Sequence, residues 1–207
     1  MPSPKDIYVN CDVLEDIPKP NRDNWLKEID LLRLELPQNA RILQVGSMDG
    51  TRAIRLLEAR PDLKITGLEI EAPLVELAKQ KVAAAGLHAD FIHGDITDPP
   101  TLPRFDYAIC LNNTLGYISE QEKAIAGMNK LGKVVIISVY GKKFDDDLVR
   151  AYFESIKLEI DHIENDNLIM KDFTTVKRYS KKEVDSWGGK ITETPIGYFC
   201  VLDAQEN

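Results

Sequence analysis

The chain has 207 residues, enough for one domain with its own core, and its 43% hydrophobic and 29% charged residues are ordinary for a globular protein. A formal net charge of −8 argues against a nucleic-acid partner, which calls for a basic footprint that displaces counterions. No run reaches the roughly 18 apolar residues of a membrane span, and the start of the chain lacks an apolar signal core, so a cytoplasmic protein without membrane contact is expected.

Residues 1–23, with Pro2, Pro4, Pro18 and Pro20, read as an N-terminal arm. From 24 to 36, Trp25, Leu26, Ile29, Leu32 and Leu36 recur at helical spacing, with Asp23 or Asn24 to cap the helix and Pro37 to end it. An alternation follows: strand 42–45, helix 51–59, strand 64–70, helix 73–85 with Pro73 in its first turn and Gly86 at its end, and a short strand 89–93. A strand at 105–111 precedes a helix at about 119–130, where Ser119 and Glu122 fit a capping box. Val134 to Ile137 belong to the most apolar strand, 132–140, which places it inside the sheet.

After Tyr140 the pattern changes. A helix is expected at 145–156, a hairpin at 160–163 and 168–171 around Glu164-Asn165-Asp166-Asn167, and a strand at 173–178. A short helix at 180–187 and an antiparallel pair, 191–194 with 198–202, close the chain. Strands separated by helices of this length imply right-handed crossovers and a parallel sheet. The fold expected is α/β, Rossmann-like and doubly wound. It has a mostly parallel seven-stranded sheet, helices on both faces and an antiparallel C-terminal hairpin. Residues 24–207 form the domain, and 144–178 form a small inserted helix and hairpin.

In such sheets ligands bind beyond the carboxyl ends of the strands, at the topological switch point. The residues there are Gly46, Ser47, Met48, Asp49 and Gly50, then Glu69 and Ile70, then Gly94, Asp95 and Ile96, then Asn112 to Tyr117. Glycines allow a tight turn and close approach to a ligand, and a helix start offers N–H groups. Glu69 lies about 20 residues past the loop, where a ribose-binding acid belongs, and its carboxylate can accept from both ribose hydroxyls. Asp95 can accept from an adenine amine. Asn112 and Asn113 fit ligand contact or turn formation. Asp49 fits capping of the next helix as well as ligand contact. The loop lacks Gly-x-Gly-x-x-Gly spacing, since position 48 is Met and position 51 is Thr, which argues against a dinucleotide-dependent dehydrogenase.

From about residue 24 onward these residues resemble a class I S-adenosylmethionine-dependent methyltransferase. Gly46 to Gly50 is similar to the family's first motif, 65–79 to its second, 91–95 to the segment whose acid meets adenine, and 105–117 to its fourth-strand motif. Asn113-Thr114-Leu115-Gly116 resembles the run that small-molecule members place at the methionine end of the cofactor. The chain departs from the family at Gln44, where Asp or Glu is usual, and at Met48, where a middle glycine is usual.

The resemblance implies S-adenosylmethionine as cofactor, held by Gly46, Ser47, Met48, Gly50, Glu69, Ile70, Asp95, Ile96, Leu111 and Asn112. It implies methyl transfer to a small-molecule N or O nucleophile by a monomer or homodimer, with no metal. The alternatives are protein or RNA methylation, or a non-catalytic nucleoside-binding member of the fold. No residue stands out as a catalytic base. Asn113, Tyr117 and Tyr140, and Tyr8 or Trp25 on an N-terminal lid, are candidates to orient the acceptor. Asp145-Asp146-Asp147 reads as acids at a helix start rather than a metal site. The basic groups at 142–143, 177–178 and 181–182 read as solvated faces. Cys11, Cys110 and Cys200 show no pairing pattern, and the last two sit in apolar runs as buried thiols.

Overall fold

The structure, a computed structural model, describes residues 16–172 and 174–203. Tyr8, Cys11 and Phe173 lie outside the described residues. The first helix, α1 (Lys19–Glu35), begins five residues before the expected start. Proline at the first helical positions needs no N–H partner there, so Pro20 opens the helix and residues 19–23 are helical.

The expected alternation follows, with β1 (Arg41–Val45), α2 (Thr51–Ala59), β2 (Lys64–Glu69), α3 (Ala72–Ala84), β3 (Asp90–His93) and β4 (Phe105–Cys110). A 3-10 turn, Thr114–Tyr117, then leads to α4 (Gln121–Leu131) and β5 (Gly132–Tyr140). The helix α4 starts at Gln121 with Glu120 in the cap position and no side-chain cap, so Ser119 and Glu122 make no capping box. A capping box forms instead ahead of α6 (Lys181–Asp185), where the Glu183 N–H donates to Ser180 Oγ (3.3 Å) and the Ser180 N–H donates to Glu183 Oε2 (2.8 Å).

The main sheet has seven strands in the order β3-β2-β1-β4-β5-β10-β9, closed by β9 (Lys190–Glu193) and β10 (Gly197–Asp203). β1 to β5 run parallel, whereas β10 is antiparallel to both β5 and β9. The chain winds outward from β1 to β3 and then back through β4 and β5, so the switch point lies between β1 and β4.

Alternation along the strands sends Ile42 and Ile136 to one face, packed with Leu32, Leu56 and Val75 of α1, α2 and α3. It sends Leu43, Val135 and Ile137 to the other face, packed with Ala124, Met128 and Val184 of α4 and α6. Helices thus cover both faces. Cys110 and Cys200 are buried in the second of these clusters, and desolvation pushes both thiols up to about 12.

Between β5 and α6 lies the segment expected as an insertion. It contains α5 (Asp146–Ser155) and a separate antiparallel sheet of β6 (Ile160–Glu164), β7 (Asn167–Met170) and β8 (Thr175–Lys177). Asp145 caps α5 by accepting from the Leu148 N–H at 2.9 Å. An aromatic cluster of Tyr140, Phe144, Tyr152 and Phe153 joins this segment to the end of β5, with Tyr140 and Phe144 ring centroids 4.5 Å apart. Arg178 is part of the same joint and not of a solvated basic face: it is buried and donates to the Phe144 carbonyl (2.9 Å) and to Asp146 Oδ1 (2.7 Å).

Candidate functional site

β1 leads directly into the glycine loop. Gly46 has φ +67°, and a Cβ there would lie 2.4 Å from Thr114 Cγ2, so only glycine lets β1 turn beneath the loop that follows β4. Gly50 has φ +81° and faces Ala78 and Phe91 rather than a ligand, which makes it a packing glycine at the start of α2. Met48 also adopts a left-handed φ, +47°, at a cost of about 1–2 kcal/mol for a residue with a Cβ. Its half-buried side chain packs against the Tyr140–Phe144–Tyr152 cluster.

Glu69 holds this loop in place. Its Oε2 accepts the Met48 N–H (2.8 Å) and its Oε1 accepts the Glu71 N–H (3.2 Å), tying the end of β2 to both the loop and the entry to α3. Glu69 is 5% exposed, and burial raises its pKa despite these backbone hydrogen bonds. Each carboxylate oxygen has a second lone pair that can accept from a ligand.

Glu69 faces a cavity of about 520 Å³ at the carboxyl ends of the strands, within the roughly 300–1,000 Å³ span of small-molecule sites. Gly46, Met48, Ile70, Asp95, Ile96, Asn112 and Tyr117 line it too. The cavity therefore brings together most of the residues singled out from the sequence. Asp95 accepts the Thr97 N–H through Oδ1 (2.8 Å), and Ile70, 57% exposed, offers an apolar face beside it. Ile70 is steadied from behind, its carbonyl 2.9 Å from His93 Nε2.

Other residues named from the sequence lie elsewhere. Ser47 and Leu111 are buried beneath the loops rather than on the cavity wall, and the Ser47 hydroxyl has no hydrogen-bond partner. Asp49 is buried, accepts the Thr51 N–H (3.1 Å) and pairs with Lys81, so its contacts are local to the helix starts. Asn113 is fully buried with φ +63°. Its Nδ2 donates to the Lys177 carbonyl (3.0 Å) and its Oδ1 accepts the Tyr140 N–H (3.0 Å), which ties the small sheet to β5. Tyr140 is buried with its hydroxyl donating to Asn112 Oδ1 (3.0 Å), and desolvation pushes its pKa well up. Trp25 is buried beneath Arg52, whose guanidinium lies 5.2 Å from the ring centroid.

The structure adds residues that the sequence did not single out. Tyr152, Ile156 and Leu158 from the α5 end, with Thr174 and Asp172 from the β7–β8 connection, also wall the cavity. Arg52 lines it as well, at the start of α2. Behind Arg52 sits Glu28 of α1, 1% exposed, with Oε2 3.6 Å from Arg52 Nη1. Glu28 Oε1 accepts from Asn24 Nδ2 (3.0 Å) and from the Ser138 hydroxyl. A signal for this group exists in the sequence: Asn21, Asn24 and Glu28 fall at helical spacing on the same buried stripe as Trp25 and Leu32. Gln44, where the family usually has an acid, is also buried, with its Oε1 lacking a partner. Among the described residues no group of three or more His, Cys, Asp or Glu side chains is arranged to hold a metal ion.

Two carboxylates on neighbouring strand ends, an apolar residue beside them and a glycine turn thus line one cavity. Residues 42–133 match a family model described as a methyltransferase domain. The chain is 28% identical over 114 residues to a release factor glutamine methyltransferase of Deinococcus radiodurans, covering 49% of this chain and 41% of that protein. It is 28% identical over 160 residues to a carboxy-S-adenosyl-L-methionine synthase of Campylobacter concisus, covering 74% of this chain and 61% of that protein. The chain thus spans less than two thirds of the length of these curated relatives. Among solved structures, an S-adenosylmethionine-dependent methyltransferase from Clostridium acetobutylicum superposes with a TM-score of 0.64 at 13% identity, covering 95% of this chain and 96% of that one. At that identity the likeness shows the fold.

Proposed function

We propose that this chain is a class I S-adenosylmethionine-dependent methyltransferase, a reading that the methyltransferase-domain match over residues 42–133 supports, and that it transfers a methyl group from that cofactor to a small-molecule N or O nucleophile. The observation that carries the reading is the convergence of Glu69, Ile70, Asp95, Ile96, Gly46 and Asn112 on one cavity. In this reading Glu69 accepts from the ribose, Asp95 from the adenine amine, and Ile70 and Ile96 bracket the base. The N-terminal boundary of the domain moves to α1, and 144–178 is an insertion that roofs the acceptor end.

S-adenosylmethionine supplies a methyl group already activated on a sulfonium, so the protein's task is to hold an acceptor in line and keep water out. Met48, Tyr117, Tyr152, Ile156 and Leu158 supply an apolar enclosure for that step. Tyr140 is unsuited as a base, since its hydroxyl is engaged by Asn112 and burial opposes its ionisation. An amine or hydroxyl acceptor then loses its proton to solvent as the methyl group arrives.

Among the described residues the cavity wall carries Glu69, Glu71, Asp95, Glu120 and Asp172 against one cation, Arg52. A field of that sign favours neutral or amine-bearing acceptors over phosphate-rich ones. The test is a screen with methyl-labelled cofactor against amines, phenols, peptides and RNA. Label in small amines or phenols supports the reading, whereas label confined to peptide or RNA contradicts it. A cytoplasmic location and a monomeric or homodimeric state are part of the same proposal.

A further inference from the structure

Asn112 lines the cavity just beyond β4, and β5 fixes both its backbone and its side chain. The Asn112 N–H donates to Ser138 Oγ (3.1 Å) and the Asn113 N–H donates to the Ser138 carbonyl (2.9 Å), which holds two consecutive residues at φ +50° and +63°. Asparagine suits this left-handed backbone better than most residues. The Tyr140 hydroxyl donates to Asn112 Oδ1 (3.0 Å), and Tyr152 is a further hydrogen-bond neighbour of that hydroxyl. Tyr140 is 1% exposed, and close packing around its ring holds the phenol in this place.

A primary amide carries one acceptor oxygen and one NH2 donor. With Oδ1 held by Tyr140, Asn112 offers Nδ2, and among the described residues this nitrogen has no hydrogen-bond partner. Tyr117 and Tyr152 line the same cavity, and Met48 and Tyr117 pack on the aromatic cluster that contains Tyr140, so Asn112 belongs to the apolar acceptor end.

A fixed donor there distinguishes oxygen from nitrogen nucleophiles. A hydroxyl oxygen has two lone pairs, so one can accept from Asn112 while the other attacks the methyl carbon. A neutral amine has one lone pair, which the same hydrogen bond would occupy, and an ammonium has none. In the transfer the oxygen lone pair forms the new C–O bond, the S–CH3 bond breaks with its electron pair left on sulfur, and the hydroxyl proton passes to water. We propose that the acceptor is a neutral alcohol or phenol methylated on oxygen, with Asn112 as the residue that selects oxygen and Tyr140 as the positioning residue that fixes its amide. This rests on the methyl-transfer reading above and narrows it.

The test uses probe pairs of matched shape, phenol with aniline and benzyl alcohol with benzylamine, added to the protein with S-adenosylhomocysteine. The readout is the magnetic-resonance signal of the Asn112 side-chain NH2, assigned by its loss in Asn112→Asp. The hydroxyl probes are expected to shift that signal saturably and the amines to leave it in place. Asn112→Asp suits the same backbone and keeps the oxygen for Tyr140 but loses the donor, so hydroxyl probes are expected to bind about fivefold or more weakly to it. Tyr140→Phe frees the amide to turn, and the preference for the hydroxyl member of each pair is expected to fall by about threefold or more. A role of Tyr140 in stability alone would weaken both members alike and leave their ratio unchanged, which overturns its assignment. Should Tyr140→Phe fail to fold, Asn112→Asp decides. Equal shifts from amines and hydroxyl probes, or no shift from either, overturn the proposal. Label confined to amines in the labelled-cofactor screen also overturns it and leaves the methyl-transfer reading standing, whereas failure of the wild type to bind S-adenosylhomocysteine overturns the cofactor reading itself.

Discussion

Replacing Glu69 by Ala probes the nucleoside site at its most constrained point. The carboxylate already accepts the N–H groups of Met48 (2.8 Å) and Glu71 (3.2 Å), so the substitution removes the ribose acceptor and loosens the glycine loop together. Charge-assisted hydrogen bonds of this kind contribute roughly 1.5–3 kcal/mol. At about 1.4 kcal/mol per tenfold change, the dissociation constant for S-adenosylhomocysteine rises about 10- to 150-fold. Both S-adenosylhomocysteine and 5′-methylthioadenosine carry the ribose, so both weaken alike. The assay is calorimetric titration of a variant shown by melting to be folded. An unchanged dissociation constant in that variant would refute the ribose assignment and, with it, the orientation of the ligand in the cavity.

Three further outcomes follow from local geometry. Met48 at φ +47° favours glycine, so Met48→Gly is expected to be about 1 kcal/mol more stable than Met48→Ala, since both lose the packing but only Ala keeps the strain; chemical denaturation measures this, and a more stable Ala variant contradicts it. Asn113→Ala removes two buried hydrogen bonds and the asparagine side chain that suits φ +63°, so unfolding stability is expected to fall by about 2–4 kcal/mol, and a loss under 1 kcal/mol would show that these bonds do not hold the small sheet to β5. Burial raises the pKa of Glu28, against the opposing influence of Arg52, Ser138, the Asn112 N–H and Asn24. The folded state then holds that proton more tightly than the unfolded chain. Stability from Glu28 is fully present below the ordinary glutamate range and is lost as pH rises through the raised value. The wild type is expected to lose more stability than Glu28→Gln as pH rises above the ordinary glutamate range in urea unfolding, and parallel profiles would contradict this.

The strands of the main sheet and the polar residues at their ends were readable from the chain because apolar runs punctuated by glycine and proline report backbone needs locally. The start of α1 was not, because Pro18 and Pro20 read as an arm while a proline in the first helical turn breaks no hydrogen bond. Gly46, Glu69, Ile70, Asp95 and Asn112 converge as their strand-end positions imply. Asn113 and Tyr140 share the same neighbourhood but are engaged in holding the small sheet and Asn112, a distinction that depends on partners 27 to 64 residues away in sequence. Arg52 and Glu28 escaped notice for a similar reason: each reads as an ordinary charged residue of a surface helix until α1 and α2 are packed on one face of the sheet. The roof formed by Tyr152, Ile156 and Leu158 depends on how the segment after β5 folds back over the cavity, which no local pattern specifies.

Titration of the wild-type protein with S-adenosylhomocysteine tests most directly whether the cavity beyond β1, β2 and β3 is a nucleoside-cofactor site. Saturable binding of one ligand per chain is expected, weakened when Glu69 is replaced. The absence of binding heat at millimolar ligand, in protein shown to be folded, would contradict it.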